Sequence, residues 1–404
     1  MTALPLSGVK VIDLTRILSG PFCSMLLGDL GADVIKIEAP GGDYVRKQGE
    51  IVQGLSWYFA GFNRNKRSVE LDTRAPEGVA VLERLLADAD ILTENFRPGV
   101  MGEMGLTEDR LRQINPGLVV VSVNGYGSDG PYSDRPAFDF IAQAMSGYMA
   151  TNGTPETGPL RTAPPITDLV AGLYAALGAV AALRGRDNGG PAQRVEASMM
   201  MSIMSMMAYL SSNALATGND PIPTGNDHPI VSPYGLFSTA DGDIAVAPST
   251  EVIVQRFLQE IGLEHLLSEP RFVNNSQRLK HRAVLNRLIN DALASGTQDM
   301  WIRRLNAAGV PSGRVQTLTE ALSDPQVAAQ NMVLSVPHPG HGAVQMTGFP
   351  IKFSQTPLRI RYTTPEVGAD AREVLRAVGY EDDEIKALMA RGIVGHGPEE
   401  ADMS

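Results

Sequence analysis

Residues 9–38 read VKVIDLTRILSGPFCSMLLGDLGADVIKIE. A β-branched run over 9–15 gives way to a turn at 16–21 that holds Gly20 and Pro21, then to a helical pattern from Phe22 to Leu30, with Gly31 as its stop. The stretch 33–38, DVIKIE, is a second strand, so the whole is a βαβ unit. Two further strand-like runs, 90–93 and 118–123, follow helical segments at 77–88 and 108–114. That alternation predicts an α/β fold with a doubly wound, Rossmann-like parallel sheet. Ligands of such sheets lie beyond the carboxyl ends of the strands. Here those ends are the loops 16–21, 39–43, 95–99 and 124–131, each rich in Gly, Pro or Asn.

Glu38 ends the second strand about where a dinucleotide enzyme places its ribose-binding acid, but the first turn lacks G-x-G-x-x-G. Without those glycines a pyrophosphate has no close approach to the helix start, which argues against a nicotinamide cofactor. The net charge of −11 lacks the basic footprint of a nucleic-acid binder. No long apolar run lacks polar interruption and residues 1–5 are too short for a signal sequence, so no membrane partner and a cytoplasmic location are expected. One cysteine, Cys23, excludes an internal disulfide and fits a reducing compartment. Length and a 43% hydrophobic content supply cores for two or three domain-sized units.

A second informative stretch, 159–183, reads PLRTAPPITDLVAGLYAALGAVAAL. Pro164 and Pro165 hold the chain extended, Asp168 stands where an N-cap belongs, and Gly185 would end the helix. Gly172, Ala175, Ala176 and Ala179 share one face and Leu169, Leu173 and Leu177 another, which predicts a helix buried all round. Asp168 then either caps that helix, for about 1 kcal/mol, or serves as an ionised nucleophile at its positive end.

The segments LSGVKVIDLTRILSGP (6–21), LGADVIKIEAPGGD (30–43), FNRNKRSVELD (62–72), ENFRPGVMGEMGL (94–106), NPGLVVVSVNGYGSDGP (115–131), SPYGLFSTADG (232–242) and EVLRAVGYEDDEI (373–385) stand in one order along nearly the whole chain. In that order the sequence resembles the family III CoA-transferases, a group that also holds α-methylacyl-CoA racemases. The resemblance implies a CoA-transferase of class EC 2.8.3 with Asp168 as nucleophile. Coenzyme A and acyl-CoA would then be substrates, with no permanently bound cofactor. It implies CoA or active-site contacts at Ile17, Tyr58, Leu71, Thr73, Arg74, Asn95, Phe96, Arg97, Asn124 and Tyr126. Ala39, Glu103 and Asn124 replace basic residues of formyl-CoA transferase, and Ile17 replaces an active-site glutamine, which argues against formate and oxalate as the natural pair.

Two other readings stay beside this one: a racemase, and an acyl-CoA-binding homologue without catalysis. Phe138 occupies the place of the racemase's histidine and cannot take an α-proton. The composition shift at 217–233 and a hairpin pattern at 234–249 suggest a small α/β domain over 224–329, with 1–223 and 330–404 forming the large CoA-binding domain. Helices are expected at 251–261, 278–294, 299–308, 369–378 and 381–391, and the last ten residues should be loosely held. The methionine-rich segment 194–215 reads as flexible core filling rather than a metal site. His338 and His341 read as structural or exposed, and Cys23 as a buried filler. The resemblance also implies a homodimer of interlocked chains, for which Gly- and Pro-rich linkers at 218–233 and 336–356 would leave room.

Overall fold

The computed structural model describes residues 3–398. By its contacts the chain forms two units, one of residues 1–148, 162–208 and 328–404, the other of residues 149–161 and 209–327. The expected boundaries at 224 and 330 therefore miss two segments. Residues 149–161 join the second unit because Gly225 N–H donates to Gly153 O at 2.7 Å, a contact no composition shift reveals.

In the first unit, strands β1 (Lys10–Asp13), β2 (Asp33–Glu38), β3 (Lys66–Glu70), β4 (Ile91–Glu94), β5 (Val119–Asn124) and β6 (Arg194–Ser198) make one six-stranded sheet. Its order is β3-β2-β1-β4-β5-β6, and all five pairings are parallel. Alternation along the strands divides the core. Ile12, Ile35, Ile37 and Leu92 face one layer of helices, while Val11, Val34, Ile91, Val119 and Val121 face the other. The order reverses between β1 and β4, so the crevice at their carboxyl ends is the topological switch point.

Helix α1 (Ser19–Asp29) begins three residues before the expected start, because Pro21 falls in the first turn, where its missing N–H is no loss. A Cβ on Gly20 would stand 2.4 Å from the Thr15 side chain, which explains why glycine is needed there. Helices α2 (Trp57–Phe62), α3 (Pro76–Leu86), α4 (Val100–Glu103), α5 (Glu108–Ile114), α6 (Asp139–Met145), α7 (Ile166–Asp187) and α8 (Met199–Ser205) follow. Strand β3 carries Lys66 and Arg67 and was not legible as a strand. Lys66 is fully buried and its Nζ lies 3.0 Å from Asp13 Oδ2, while the buried Lys36 Nζ lies 3.2 Å from Asp43.

Two features of α7 differ from expectation. Pro165, not Asp168, is the N-cap, and the helix runs past Gly185 to Asp187, with Gly189 at φ +86° beyond it. Proline offers no side-chain cap, so Asp139 of α6 does that work: its Oδ1 accepts from Thr167 N and Thr167 Oγ1, both at 2.9 Å. The small-residue face of α7 is buried, but Leu173 and Leu177 are 47% and 63% exposed, so the helix is not buried all round. At 22 residues α7 is long and apolar enough to cross a membrane by length and composition, yet half of its most apolar stretch is buried inside the chain. In α8, Met199 is buried while Met201 and Met204 are exposed, so core filling describes only part of that run.

Close approach of α1 and α7 depends on Gly172. A Cβ there would stand 2.5 Å from Ser19 O and 3.3 Å from Cys23 N, both backbone atoms. Gly172→Ala must push the helices apart, with an expected destabilisation of about 1–3 kcal/mol in urea unfolding. Because Ser19 and Asp168 ride on these two helices, activity should fall by roughly tenfold or more.

The C-terminal part returns to this unit, with helices Ala371–Ala377 and Asp382–Ala390 packed on the β3 side of the core. Val394 bridges Leu71 just past β3, with Asp72 N–H donating to Ile393 O and Gly395 N–H to Glu70 O at 2.9 and 3.0 Å. Residues 395–398 of the tail expected to be loose are therefore anchored at their start, and 399–404 lie outside the described residues. The segment expected as a linker at 336–356 contains most of an antiparallel hairpin, Val333–His338 with Gly342–Thr347. His338, the last residue of its first strand, is buried.

The second unit has a three-stranded antiparallel sheet of Gly235–Ser238, Asp243–Val246 and Ser312–Arg314. Helices Glu251–Glu260, Arg282–Leu293 and Gln298–Ala307 pack on it through Phe257, Leu285, Ile289 and Trp301.

Candidate active site

The site is built at the switch point. Between β1 and α1 the backbone of Ile17 adopts φ +71°, a left-handed conformation that a β-branched residue enters at a cost of about 1–3 kcal/mol. Neighbouring groups hold it there. Asp43, itself paired with Lys36, faces the Ile17 N–H at 3.2 Å. Asn95, after β4, clasps the preceding residue from both sides, accepting from Arg16 N at 2.9 Å and donating to Arg16 O at 2.8 Å. The strained turn delivers Ser19 at the start of α1, whose N-cap, Leu18, makes no side-chain cap bond. The Ser19 and Gly20 amides thus stand at an open, positive helix end.

Asp168 lies in the first turn of α7, against this end. Burial and the nearby Asp139 carboxylate raise its pKa to about 7, against a smaller lowering by a hydrogen bond from the Ser19 hydroxyl. Asp139 is buried and fixed by Thr167 and by Gln143 Nε2 at 2.7 Å. The Tyr58 phenol is raised by burial and then by the charges of Asp168, Asp43 and Asp139, which places it beside the same carboxylates. Ser19 and Asp139 were missed from sequence. An acid at the start of a helical pattern reads as a cap for its own helix, and nothing local shows that Asp139 caps another, 28 residues on.

A cavity of about 230 Å³ opens at Asp168 and is lined by Ile17, Asn95, Phe96, Arg97 and Asn124, five of the residues singled out from sequence. A larger cavity of about 1010 Å³ shares Ile17 and Phe96 with it and takes in Leu71, Thr73 and Arg74. Arg74 is exposed and forked onto Asp72 at 2.8 and 3.0 Å. Tyr126 lines neither; it is buried, with its hydroxyl 3.3 Å from Met145 Sδ and its ring edge-on to Tyr132. Cys23, on α1 behind the site, is fully buried, and burial pushes its thiol far up, beyond any nucleophilic role.

The family model described as CoA-transferase family III matches residues 6–371. The chain belongs to CoA-transferase family III. Over 394 residues it is 36% identical to a succinyl-CoA–D-citramalate CoA-transferase of Chloroflexus aurantiacus, covering 96% of this chain and 98% of that one. A succinate–glutarate CoA-transferase of Agrobacterium fabrum is 33% identical, with 92% and 95% covered. Among solved structures, a CAIB/BAIF family protein from Brucella suis superposes with a TM-score of 0.83 at 33% identity, covering 93% of this chain and all of that one. Relatives of this family III chain are thus named as transferases of CoA between acyl-CoA and small acids, and the six-stranded parallel sheet agrees with the fold of its structural neighbours.

Proposed function

We propose that the protein moves CoA from an acyl-CoA thioester to a free carboxylic acid through a covalent intermediate on Asp168. The observation that carries this is a carboxylate of pKa about 7 set against an open helix N-terminus at the switch point. Such a group is substantially ionised at neutral pH and more basic than an ordinary aspartate, which favours attack on a thioester. An Asp168 oxygen adds to the thioester carbon, and CoA thiolate leaves to give a mixed anhydride. The thiolate then attacks the aspartyl carbonyl, releasing the donor acid and leaving an aspartyl-CoA thioester. An acceptor carboxylate attacks that thioester, forming a second anhydride, and the returning thiolate carries off the new acyl group. Each tetrahedral stage bears an oxyanion, for which the Ser19 and Gly20 amides and the Tyr58 phenol are the proposed donors. One thioester is exchanged for another, so the chemistry itself calls for no hydride carrier, ATP or resident cofactor.

The 1010 Å³ cavity, with Leu71, Thr73 and Arg74, is the proposed seat of the CoA nucleotide, and its junction with the Asp168 cavity at Ile17 and Phe96 the passage for the thioester. We also propose that the protein works as a cytoplasmic homodimer of interlocked chains. Support comes from the exposed apolar Phe138, Ile141, Leu173, Leu177 and Met201, apolar surface that a second copy would cover.

Hydroxylamine quenching after exposure to succinyl-CoA, followed by peptide mass analysis, should find an aspartyl hydroxamate at Asp168. Turnover without any such adduct would overturn the covalent step. The pH profile tests the carboxylate pair. Asp139→Asn keeps the bonds to Thr167 and gives up the one to Gln143, worth about 1 kcal/mol. Removing the like charge should move the acidic limb of kcat/KM below its wild-type midpoint near 7. An unmoved limb would mean that Asp139 does not set the ionisation of Asp168.

A further inference from the structure

Three arginines, Arg16, Arg97 and Arg135, line the Asp168 cavity, and Asp168 is the only acidic residue among the described residues that line it. Arg16 also faces the large cavity, and Arg97 a third one behind α4. Of the three, only Arg135 belongs to the Asp168 cavity alone among these. Its guanidinium lies 3.8 Å from the Tyr132 ring centroid, and Tyr132 is held edge-on by Tyr126 at 5.8 Å. Arg135 N–H donates to Tyr132 O at 3.0 Å, so the turn itself keeps side chain and ring together. Among the described residues it has no ion-pair partner, whereas the exposed Arg74 and Arg110 are each forked onto a carboxylate.

We propose that Arg135 receives a second carboxylate on the acid that enters the site, which makes small dicarboxylic acids the preferred acceptor class. The proposal rests on the reading of Asp168 as the group that accepts the acyl carbon. A planar guanidinium braced on an aromatic face presents its remaining edge in the fork that a carboxylate fits. A cavity of 230 Å³ suits a short acid rather than a nucleotide. Ile17, Phe138 and Met199 add apolar wall for the methylenes between the two charges. The acids named for the relatives above, succinate, glutarate and citramalate, all carry two carboxylates.

The test compares succinate with butanoate, acids of equal carbon number, as acceptors from one fixed acyl-CoA donor. In the wild type succinate should be preferred, and in Arg135→Gln the ratio of kcat/KM for succinate over butanoate should fall by about 30-fold, as for loss of a charge-assisted hydrogen bond. Arg135→Lys, which keeps the charge without the fork, should recover part of the ratio. An equal loss on both acids, a rise confined to the KM of the CoA donor, or a wild type that prefers butanoate would each overturn the proposal. Hydroxylamine trapping on the wild type separates the two readings. No hydroxamate at Asp168 sinks the nucleophile assignment, whereas a hydroxamate with unchanged selectivity in Arg135→Gln sinks only the role of Arg135.

Discussion

Asp168→Asn should abolish CoA transfer and yield a more stable protein. The loss should be at least about 10³-fold in kcat, because the amide cannot form the anhydride and no other carboxylate lines the cavity among the described residues. The gain in stability follows from linkage. The Asp168 pKa rises from 3.8 to about 7 on folding, so the folded chain binds the proton more tightly than the unfolded one. The contribution of this group is therefore most favourable below about pH 4, declines as pH rises towards 7, and stays low above it. Removing the charge should restore about 1–3 kcal/mol at pH 8, after discounting for solvent at a partly exposed group. The cap survives, since Asp139 rather than Asp168 closes the start of α7. Urea unfolding of both proteins, with single-turnover assays, checks the pair of effects. A variant that is inactive but less stable than wild type would show that Asp168 is structural.

The second large effect lies behind the site. Asp13 is fully buried, paired with Lys66 at 3.0 Å, and accepts from Ser24 Oγ at 2.6 Å, Thr15 N at 2.9 Å and Thr93 Oγ1 at 3.2 Å. Burial alone would raise its pKa, but Lys66, Lys36 and the two hydroxyls of Ser24 and Thr15 overcome it and hold the group at about 2. Asp13→Ala leaves the Lys66 ammonium without its counter-charge in the core, at an expected cost of about 3–5 kcal/mol. For a depressed carboxylate the sign is the reverse of that at Asp168. Its contribution is present above about pH 4 and is lost as pH falls towards 2. Wild-type urea midpoints should drop over that window more steeply than those of Asp13→Asn. Lys66→Met in the Asp13→Asn background should recover part of the loss, because it removes the buried ammonium left without a counter-charge.

These buried charges also explain what the sequence concealed. The unit β1-α1-β2 was legible because its apolar residues alternate and Gly31, at φ +115°, stops the helix where a stop was read. Strand β3 was not, since Lys66 and Arg67 occupy positions that an apolar pattern would fill. Their partners Asp13 and Asp33 lie 53 and 34 residues away, beyond any local signal. In the site, Asp168 stood out because one carboxylate interrupts an apolar helix. Asp139, Ser19 and Arg135 did not, because each acquires its meaning from a neighbour that only the fold supplies. Tyr126 was named as a contact only by the family resemblance, and in the fold its ring is buried and edge-on to Tyr132.

The bridge between Leu71 and Val394 fixes an order of events during biosynthesis. Leu71 lines the large cavity, and its strand partner leaves the ribosome roughly 320 residues after it. At about 5–20 residues per second, the nascent chain waits roughly 16 to 65 s with that edge of the sheet unpaired. Throughout that interval the Glu70 carbonyl and the Asp72 N–H lack their partners and are open to any extended polypeptide nearby, including the next chain on the same messenger. The wall of that cavity is thus among the last parts to close. Translation pauses or truncations near residue 390 should leave a protein with most of its core formed and the cavity at Leu71 unfinished.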